Sequence, residues 1–148
     1  LNAAFTLVII LTGALVRGAG ATLACTEWPL CFDNVLWPAS FGQLAMIHMI
    51  HRLAVAALGV SLLILVWQVL RQRQDGMTRI LAIGAFIAYL LQAGVGAMYV
   101  ISVAGPEWGA AHVGLASVTW GLLIALCVIE GLESAESVDN KLEPQWQA

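Results

Sequence analysis

Charged residues are scarce in this sequence. Only 10% of its 148 residues are charged and six are Lys or Arg, whereas 61% are hydrophobic. So little charge excludes a soluble domain with a charged surface, and so few basic residues exclude a nucleic-acid-binding surface. Mean hydropathy is +0.89, and the apolar residues form four long blocks. The composition therefore indicates an integral membrane protein.

The first apolar block also lacks a cleavage site of small residues leading into a soluble domain, which excludes a secretory signal peptide. Because the chain begins with Leu1, already inside that block, we expect the natural N-terminus to lie upstream. At about 20 apolar residues per spanning helix, the length suits four helices and no second domain. We predict an all-α, four-transmembrane-helix up-and-down bundle over residues 1–130 and a polar acidic tail or linker over residues 131–148.

The apolar blocks set the expected limits of the elements. We predict helices at Leu1–Val16, Gly42–Leu70, Ile80–Val100 and Trp108–Ile129. A long loop reaching about Ser40 joins the first two, and short turns, Arg71–Arg79 and Ser102–Glu107, join the others. From Glu130 onward the chain is polar and acidic, and we expect it to be poorly ordered.

Three of the six basic residues, Arg71, Arg73 and Arg79, lie in the turn between the second and third helices. The positive-inside rule places that turn and both termini in the cytoplasm. The loop with Cys25 and Cys31 then lies outside the cell membrane, where a disulfide can persist.

The spacing of Cys25 and Cys31 leaves two interpretations of the pair open. One is a structural staple that closes a small loop, and the other is a redox role. Their six-residue separation differs from the two-residue gap of thioredoxin-type motifs. Cys127, in the fourth helix, reads as a small apolar residue.

Ionisable residues within apolar helices are costly and indicate a functional site. His51 and His112 both lie roughly 7–14 Å below the outer surface at 1.5 Å per residue. Their helices are diagonal neighbours in a simple up-and-down square. Two imidazoles facing each other at one depth predict the axial ligands of a haem iron. The alternatives are a structural hydrogen-bonding role or another metal.

Two further residues of the second helix belong to the same predicted site. His48 lies one turn nearer the surface, on the same face as His51, and is a candidate contact of a porphyrin propionate or a substrate. Arg52 is a candidate partner of a propionate carboxylate. Small residues near the histidines indicate either room for a porphyrin or ordinary helix packing; they are Gly13, Gly18, Gly20, Gly84, Gly94, Gly96, Gly114, Ala116 and Ser117.

Several of these motifs together resemble the haem A synthase family (the CtaA/Cox15 type). The matching stretches are Leu11-Thr12-Gly13-Ala14-Leu15-Val16-Arg17, the Cys25 to Cys31 loop with Trp28-Pro29-Leu30, His51-Arg52, Leu91-Gln92-Ala93-Gly94-Val95-Gly96-Ala97, and Ala111-His112. They cover nearly all four predicted helices in the expected order.

The resemblance implies a membrane oxidoreductase that oxidises the methyl group of haem O to the formyl group of haem A. It implies that His51 and His112 are the axial pair, that Cys25 and Cys31 are the outer-loop cysteines, and that this loop caps the haem pocket. By the same match Arg17 joins His48 and Arg52 among the haem-binding candidates. The bound group is haem b, or haem O and haem A as substrate and product.

The sequence departs from the family pattern in two ways. Family members usually have two four-helix halves, so this chain resembles one half, either assembling as a homo-oligomer or with partner membrane subunits, or having lost its second site. The substrate half often has a glutamate three residues before the His-Arg histidine, where this chain has His48. His48 and Glu27 are the catalytic candidates. The alternative function is a non-catalytic bis-histidine b-type cytochrome or accessory subunit of a respiratory or photosynthetic complex.

Overall fold

Four α-helices make up most of the protein, whose computed structural model describes residues 1–142. The helices are α1 (Asn2–Gly18), α2 (Gln43–Gln72), α3 (Gly76–Ile101) and α4 (Pro106–Leu142). The described residues form no β-strand beyond an isolated bridge between Cys31 and Val35. The predicted all-α fold class is confirmed.

The helices have the length and composition of membrane spans. α2, α3 and the part of α4 up to Glu136 are long and apolar enough to cross a bilayer. α1 is apolar and has 17 residues, which is the lower end of the roughly 17–25 residues that a span needs. The chain is therefore a multi-pass membrane protein.

The four helices pack as the corners of a square. α1 packs on α2, α2 on α3, α3 on α4, and α4 on α1. Within the described residues, the diagonal pairs α1–α3 and α2–α4 make no contact of comparable closeness. This arrangement confirms the predicted up-and-down bundle in which the second and fourth helices face each other across the centre.

The inner half of this square is filled by side chains from all four helices. Its buried residues are Ala3, Ile9, Leu58, Leu62, Ala85, Tyr89 and Leu123. Two hydrogen bonds cross it: the Tyr89 hydroxyl donates to the Val55 carbonyl at 2.9 Å, and the Trp120 indole donates to the Ala3 carbonyl at 3.1 Å. This core separates the space between α2 and α4 beneath the Cys25–Cys31 loop from a second cavity at the opposite end of the bundle, which Asn2, Ser61 and Glu130 border.

Two helices begin earlier than predicted, because their first residues suit a helix start. α3 begins at Gly76 and not near Ile80, since the Asp75 carboxylate accepts the Thr78 backbone N–H at 2.8 Å and caps the helix. α4 begins at Pro106, whose missing N–H and fixed φ suit the first helical position. The turn predicted for residues 71–79 is correspondingly short.

α4 also ends later than predicted. The expectation of a poorly ordered segment from Glu130 onward is wrong for residues 130–142, which continue the helix, and residues 143–148 lie outside the described part. The extension meets the turn between α2 and α3, where Arg73 forms ion pairs with Glu130 and Glu133.

The Asp75 cap predicts a stability that depends on pH. The Thr78 backbone N–H holds the pKa of the Asp75 carboxyl below its ordinary value. Because the folded-state pKa is the lower one, the stabilisation is present above the unfolded-state pKa and is lost as pH falls through the folded-state pKa. We expect Asp75→Ala to lower the melting temperature in detergent at neutral pH, with a smaller difference from the wild type at acidic pH.

The matched control is Asp75→Asn, which keeps a capping oxygen without a titrating group. Its melting temperature should stay near the wild-type value at neutral pH. The pH dependence assigned to this cap should be absent from it. An Asp75→Ala difference that is the same at neutral and acidic pH would contradict the assignment.

Candidate functional site

A cavity of about 530 Å³ opens between α2 and α4 at the end of the bundle that carries the Cys25–Cys31 loop. Its volume is within the roughly 300–1,000 Å³ typical of small-molecule sites. α2 contributes His48, His51 and Arg52 to its lining, α4 contributes His112, and α1 contributes Arg17. The structure therefore brings the five predicted haem-binding residues to one cavity, whose remaining lining is largely apolar.

The His51 imidazole is held by α1. Its Nδ1 lies 2.9 Å from Thr12 Oγ1, and that hydroxyl donates its own proton to the Ile9 carbonyl at 2.7 Å. Thr12 has a single hydroxyl proton, and the arrangement that satisfies all three groups is donation from Thr12 to the Ile9 carbonyl together with donation from His51 Nδ1–H to the Thr12 oxygen. A neutral His51 protonated at Nδ1 keeps a lone pair on Nε2, which is the form that ligates a metal.

The His112 imidazole is held in the same way by α3. Its Nδ1 lies 3.0 Å from the backbone carbonyl oxygen of Gln92, which can only accept. Nδ1 is therefore the protonated nitrogen, and Nε2 again carries the lone pair. Both predicted axial ligands have the tautomer that iron ligation requires.

Two glycines allow these rings to approach the neighbouring helices. A Cβ atom on Gly96 would lie 2.8 Å from His112 Cε1, and one on Gly13 would lie 3.2 Å from His51 Cε1. Contacts as short as the first do not occur without a shift of the ring. Packing against a histidine ring, and not general small-residue packing, therefore explains these two glycines.

The two halves of the site follow one plan. In each hairpin the first helix supplies a hydrogen-bond acceptor and a glycine to the histidine of the second helix. The acceptors are Thr12 and Gln92, and the structure gives them roles that sequence reasoning missed, although both lie in motifs that carry the family resemblance. The signal for Thr12 was a polar side chain inside an apolar helix, whereas the Gln92 acceptor is a backbone carbonyl and has no signal in the sequence.

Removing the acceptor for His51 should weaken the ligand without removing it. Thr12→Val keeps the side-chain shape but leaves His51 Nδ1–H without its partner. Loss of the hydrogen bond made by the other ring nitrogen of a metal-ligating histidine typically lowers metal affinity about 10–100-fold. We expect faster haem dissociation from this variant and a higher reduction potential, because a less basic imidazole stabilises ferric iron less.

Thr12→Ser, which retains the hydroxyl, is the control for this substitution and should behave like the wild type. A redox titration and a haem-transfer assay measure the two effects. Equal potentials and transfer rates for Thr12→Val and Thr12→Ser would show that this hydrogen bond does not tune His51.

Arg52 makes contacts that the sequence did not predict. Its Nη1 donates to the backbone carbonyls of Glu27, Pro29 and Leu30 at 2.7, 3.3 and 3.0 Å, and its Nη2 donates to that of Cys25 at 2.8 Å. The pairing of Arg52 with a propionate stays a prediction, and these contacts occupy both of its terminal nitrogens.

The outer loop lies against α2 as a cover of the cavity. The sulfur atoms of Cys25 and Cys31 are 2.03 Å apart, both residues are fully buried, and they pack on Ala45 and Met49 of α2. The segment between the cysteines contributes Trp28, Pro29 and Leu30 to the cavity lining. The geometry matches the expected cap.

The remaining candidates differ in position. Arg17 is exposed at the cavity wall and has no ion pair among the described residues. His48 is 5% exposed, and its Nδ1 has no hydrogen-bond partner in the described structure. Glu27 is exposed in the loop and does not line the cavity, so its geometry does not support the predicted catalytic role.

The histidines are not part of a metal cluster built from protein ligands alone. The described residues contain no group of three or more His, Cys, Asp or Glu side chains that could hold a metal ion. An isolated transition metal usually needs three or four such ligands. Two opposed imidazoles in an apolar cavity fit a porphyrin, which supplies the other ligands itself.

Comparisons with known proteins agree with this geometry. The heme A synthase of Symbiobacterium thermophilum is 34% identical over 132 residues, covering 86% of this chain and 41% of that protein. The heme A synthase of Bacillus mycoides is 32% identical over 128 residues, covering 83% and 40%. That of Geobacillus kaustophilus is 43% identical over 54 residues, covering 36% and 16%.

The chain spans about two fifths of the length of the curated relatives that it matches most fully. A family-level match covers residues 34–124, from the loop before α2 to the middle of α4, and so takes in His48, His51 and His112. The family is COX15-CtaA, described as cytochrome oxidase assembly protein. This match covers more than half of the chain, which therefore belongs to the COX15-CtaA family.

Proposed function

We propose that this chain is a haem A synthase-like membrane oxidoreductase that holds haem between α2 and α4. The single observation that carries the proposal is the matched placement of His51 and His112: the Nδ1 of each lies within hydrogen-bonding distance of an acceptor on a neighbouring helix, which leaves Nε2 for iron. Its relatives are named heme A synthase. The proposed reaction oxidises the methyl group of haem O to the formyl group of haem A.

The residues of the cavity fit a haem. His51 and His112 would ligate the iron axially, the apolar walls would contact the macrocycle, and Arg17 would pair with a propionate carboxylate. When bound, the iron supplies the redox chemistry that the side chains lack.

His48 is the residue that we assign to proton handling. Oxidation of a methyl carbon to a formyl group takes up the oxygen atom of a water molecule, passes electrons by way of the iron to an external electron acceptor, and releases protons, so the reaction needs a nearby proton acceptor. His48 lines the cavity one turn from His51 and carries a ring nitrogen without a partner among the described residues. It stands where the family's substrate half often has glutamate, and Glu27 lies too far out to serve.

One observation favours the second candidate function, a bis-histidine b-type cytochrome or accessory subunit that does not transform haem. No Asp or Glu lies among the described residues that line the cavity. Without a carboxylate, the same two histidines would hold haem b for electron transfer or as a structural group.

Product analysis distinguishes the two functions. The chain would be expressed in membranes supplied with haem O and lacking their own synthase, and the extracted porphyrins would be identified by mass. Haem A or a hydroxylated intermediate supports the synthase, and its loss in His48→Ala but not in Glu27→Gln supports the assignment of His48. Haem O recovered unchanged, with bound haem b, supports the alternative.

The same proposal includes a location and partners. The Arg71–Arg79 turn lies at the opposite end of the bundle from the cysteine loop, which supports cytoplasmic termini and an outward-facing Cys25–Cys31 disulfide in the cell membrane. Because the chain spans about two fifths of its relatives' length, we propose that it works as a homo-oligomer or with partner membrane subunits.

A further inference from the structure

We propose that Arg52 is a positioning residue that fastens the outer loop over the cavity. The observation is the convergence of four backbone carbonyl oxygens, from Cys25, Glu27, Pro29 and Leu30, on its two terminal nitrogens. These contacts belong to the protein alone and need no bound group. The effect on haem described below rests on the proposed function; the effect on the loop does not.

The depth of Arg52 explains why the carbonyls are needed. The residue lies nine positions below the start of α2, or about 14 Å along the helix. A guanidinium at that depth is costly unless it is fully hydrogen-bonded. No carboxylate pairs with it in the described part of the chain. The backbone carbonyl oxygens of the loop therefore accept the hydrogen bonds that the Arg52 guanidinium donates.

The shape of the guanidinium makes this contact specific for arginine. Its planar fork presents donors in two directions, so that Nη1 reaches one side of the loop while Nη2 reaches the Cys25 carbonyl. A lysine ammonium is a single point and cannot span both positions. Arg52→Lys should therefore restore the charge without restoring the whole set of contacts.

The contact between Arg52 and the loop lies beside His51, a predicted iron ligand, so it holds the cavity wall close to the proposed iron site. Arg52 directly follows His51, and the loop that it holds contributes Trp28, Pro29 and Leu30 to the cavity wall. The two buried cysteines attach the loop to Ala45 and Met49 one to two turns higher on α2. Arg52 is thus the second attachment of the loop, at the edge nearest the histidine pair.

Hydrogen–deuterium exchange of the haem-free protein in detergent tests the attachment directly. We expect the amides of Ala24, Cys31 and Val35, whose N–H groups are hydrogen-bonded within the loop, to exchange on the order of tenfold faster in Arg52→Gln than in the wild type, given what charged hydrogen bonds contribute. Arg52→Lys should lie between them. Exchange in α3 and in the inner half of the bundle should be unchanged, which separates loop release from general unfolding.

Arg17→Gln is the matched control, since the Arg17 side chain lines the same cavity and the described structure gives it no hydrogen bond to residues 25–30. It should leave loop exchange at the wild-type rate. In haem-loaded protein, transfer of haem to apomyoglobin should be faster for Arg52→Gln than for Arg52→Lys. Unchanged loop exchange in haem-free Arg52→Gln would overturn the proposal and assign Arg52 to a propionate. Failure to load haem would instead count against the proposed function, and the exchange result would still stand.

Discussion

Replacement of His51 or His112 by Ala is expected to remove most of the bound haem and its low-spin spectrum. Each histidine is the ligand that its helix supplies to the proposed iron, and each has its Nδ1 hydrogen-bonded to another helix. The loss of haem affinity should exceed the roughly 10–100-fold loss that follows removal of the hydrogen-bond acceptor of a metal-ligating histidine. Haem content per chain, measured on protein purified from the same membranes, gives the comparison.

His48→Ala is the matched control, because it removes an imidazole from the same helix and the same cavity. It should retain the low-spin haem. Added imidazole should restore the low-spin spectrum of His51→Ala, since it can occupy the space left by the side chain. Retention of low-spin haem in both His51→Ala and His112→Ala would remove the axial assignment.

Adding a single methyl group at Gly96 should lower the haem content about as much as replacing either histidine. Its Cβ would lie 2.8 Å from His112 Cε1 and 3.0 Å from Nδ1, closer than van der Waals contact allows. The ring would have to turn away and give up its bond to the Gln92 carbonyl. We expect Gly96→Ala to fold, and we expect its affinity for haem to fall on the order of tenfold or more.

Gly94→Ala tests whether this effect is local, because it adds the same methyl group to the same helix. No neighbouring atom lies within 4 Å of a Cβ at that position, and alanine favours the helix over glycine. This variant should keep haem and be at least as stable as the wild type. Equal haem content in Gly96→Ala and Gly94→Ala would contradict the role given to Gly96.

The apolar runs of the sequence were sufficient to predict the number of helices and the position of α2 and α4 on a diagonal of the bundle. The bilayer allows few alternatives to a helix for such a run, and short connections allow few arrangements of four helices. The predicted first and last residues of the helices were less accurate where a capping side chain or an ion pair decides where a helix begins or ends. Asp75 starts α3 by capping it, and the ion pairs of Arg73 accompany the extension of α4.

The sequence located the histidines but not what orients them. Depth follows from counting residues along a helix, so His51 and His112 could be placed in one layer. The partners of their Nδ1 atoms depend on how two helices are rotated against each other, which periodicity does not specify. The bond from His112 goes to a backbone carbonyl, and every residue has one.

Arg52 shows the same limit in a loop. A cation in a predicted haem site indicated a carboxylate partner. The carbonyl oxygens that surround it come from four residues between positions 25 and 30, and their convergence depends on a loop conformation that no residue type signals. Long-range backbone contacts of this kind have to be read from coordinates.

The most direct test of the account is the pigment of the purified protein, measured as its reduced-minus-oxidised spectrum together with mass analysis of the extracted porphyrin. We expect low-spin haem in a fixed ratio to the chain, with both axial positions filled by imidazole. Protein that folds as a stable bundle but carries no haem, or only high-spin haem, would contradict the assignment of His51 and His112.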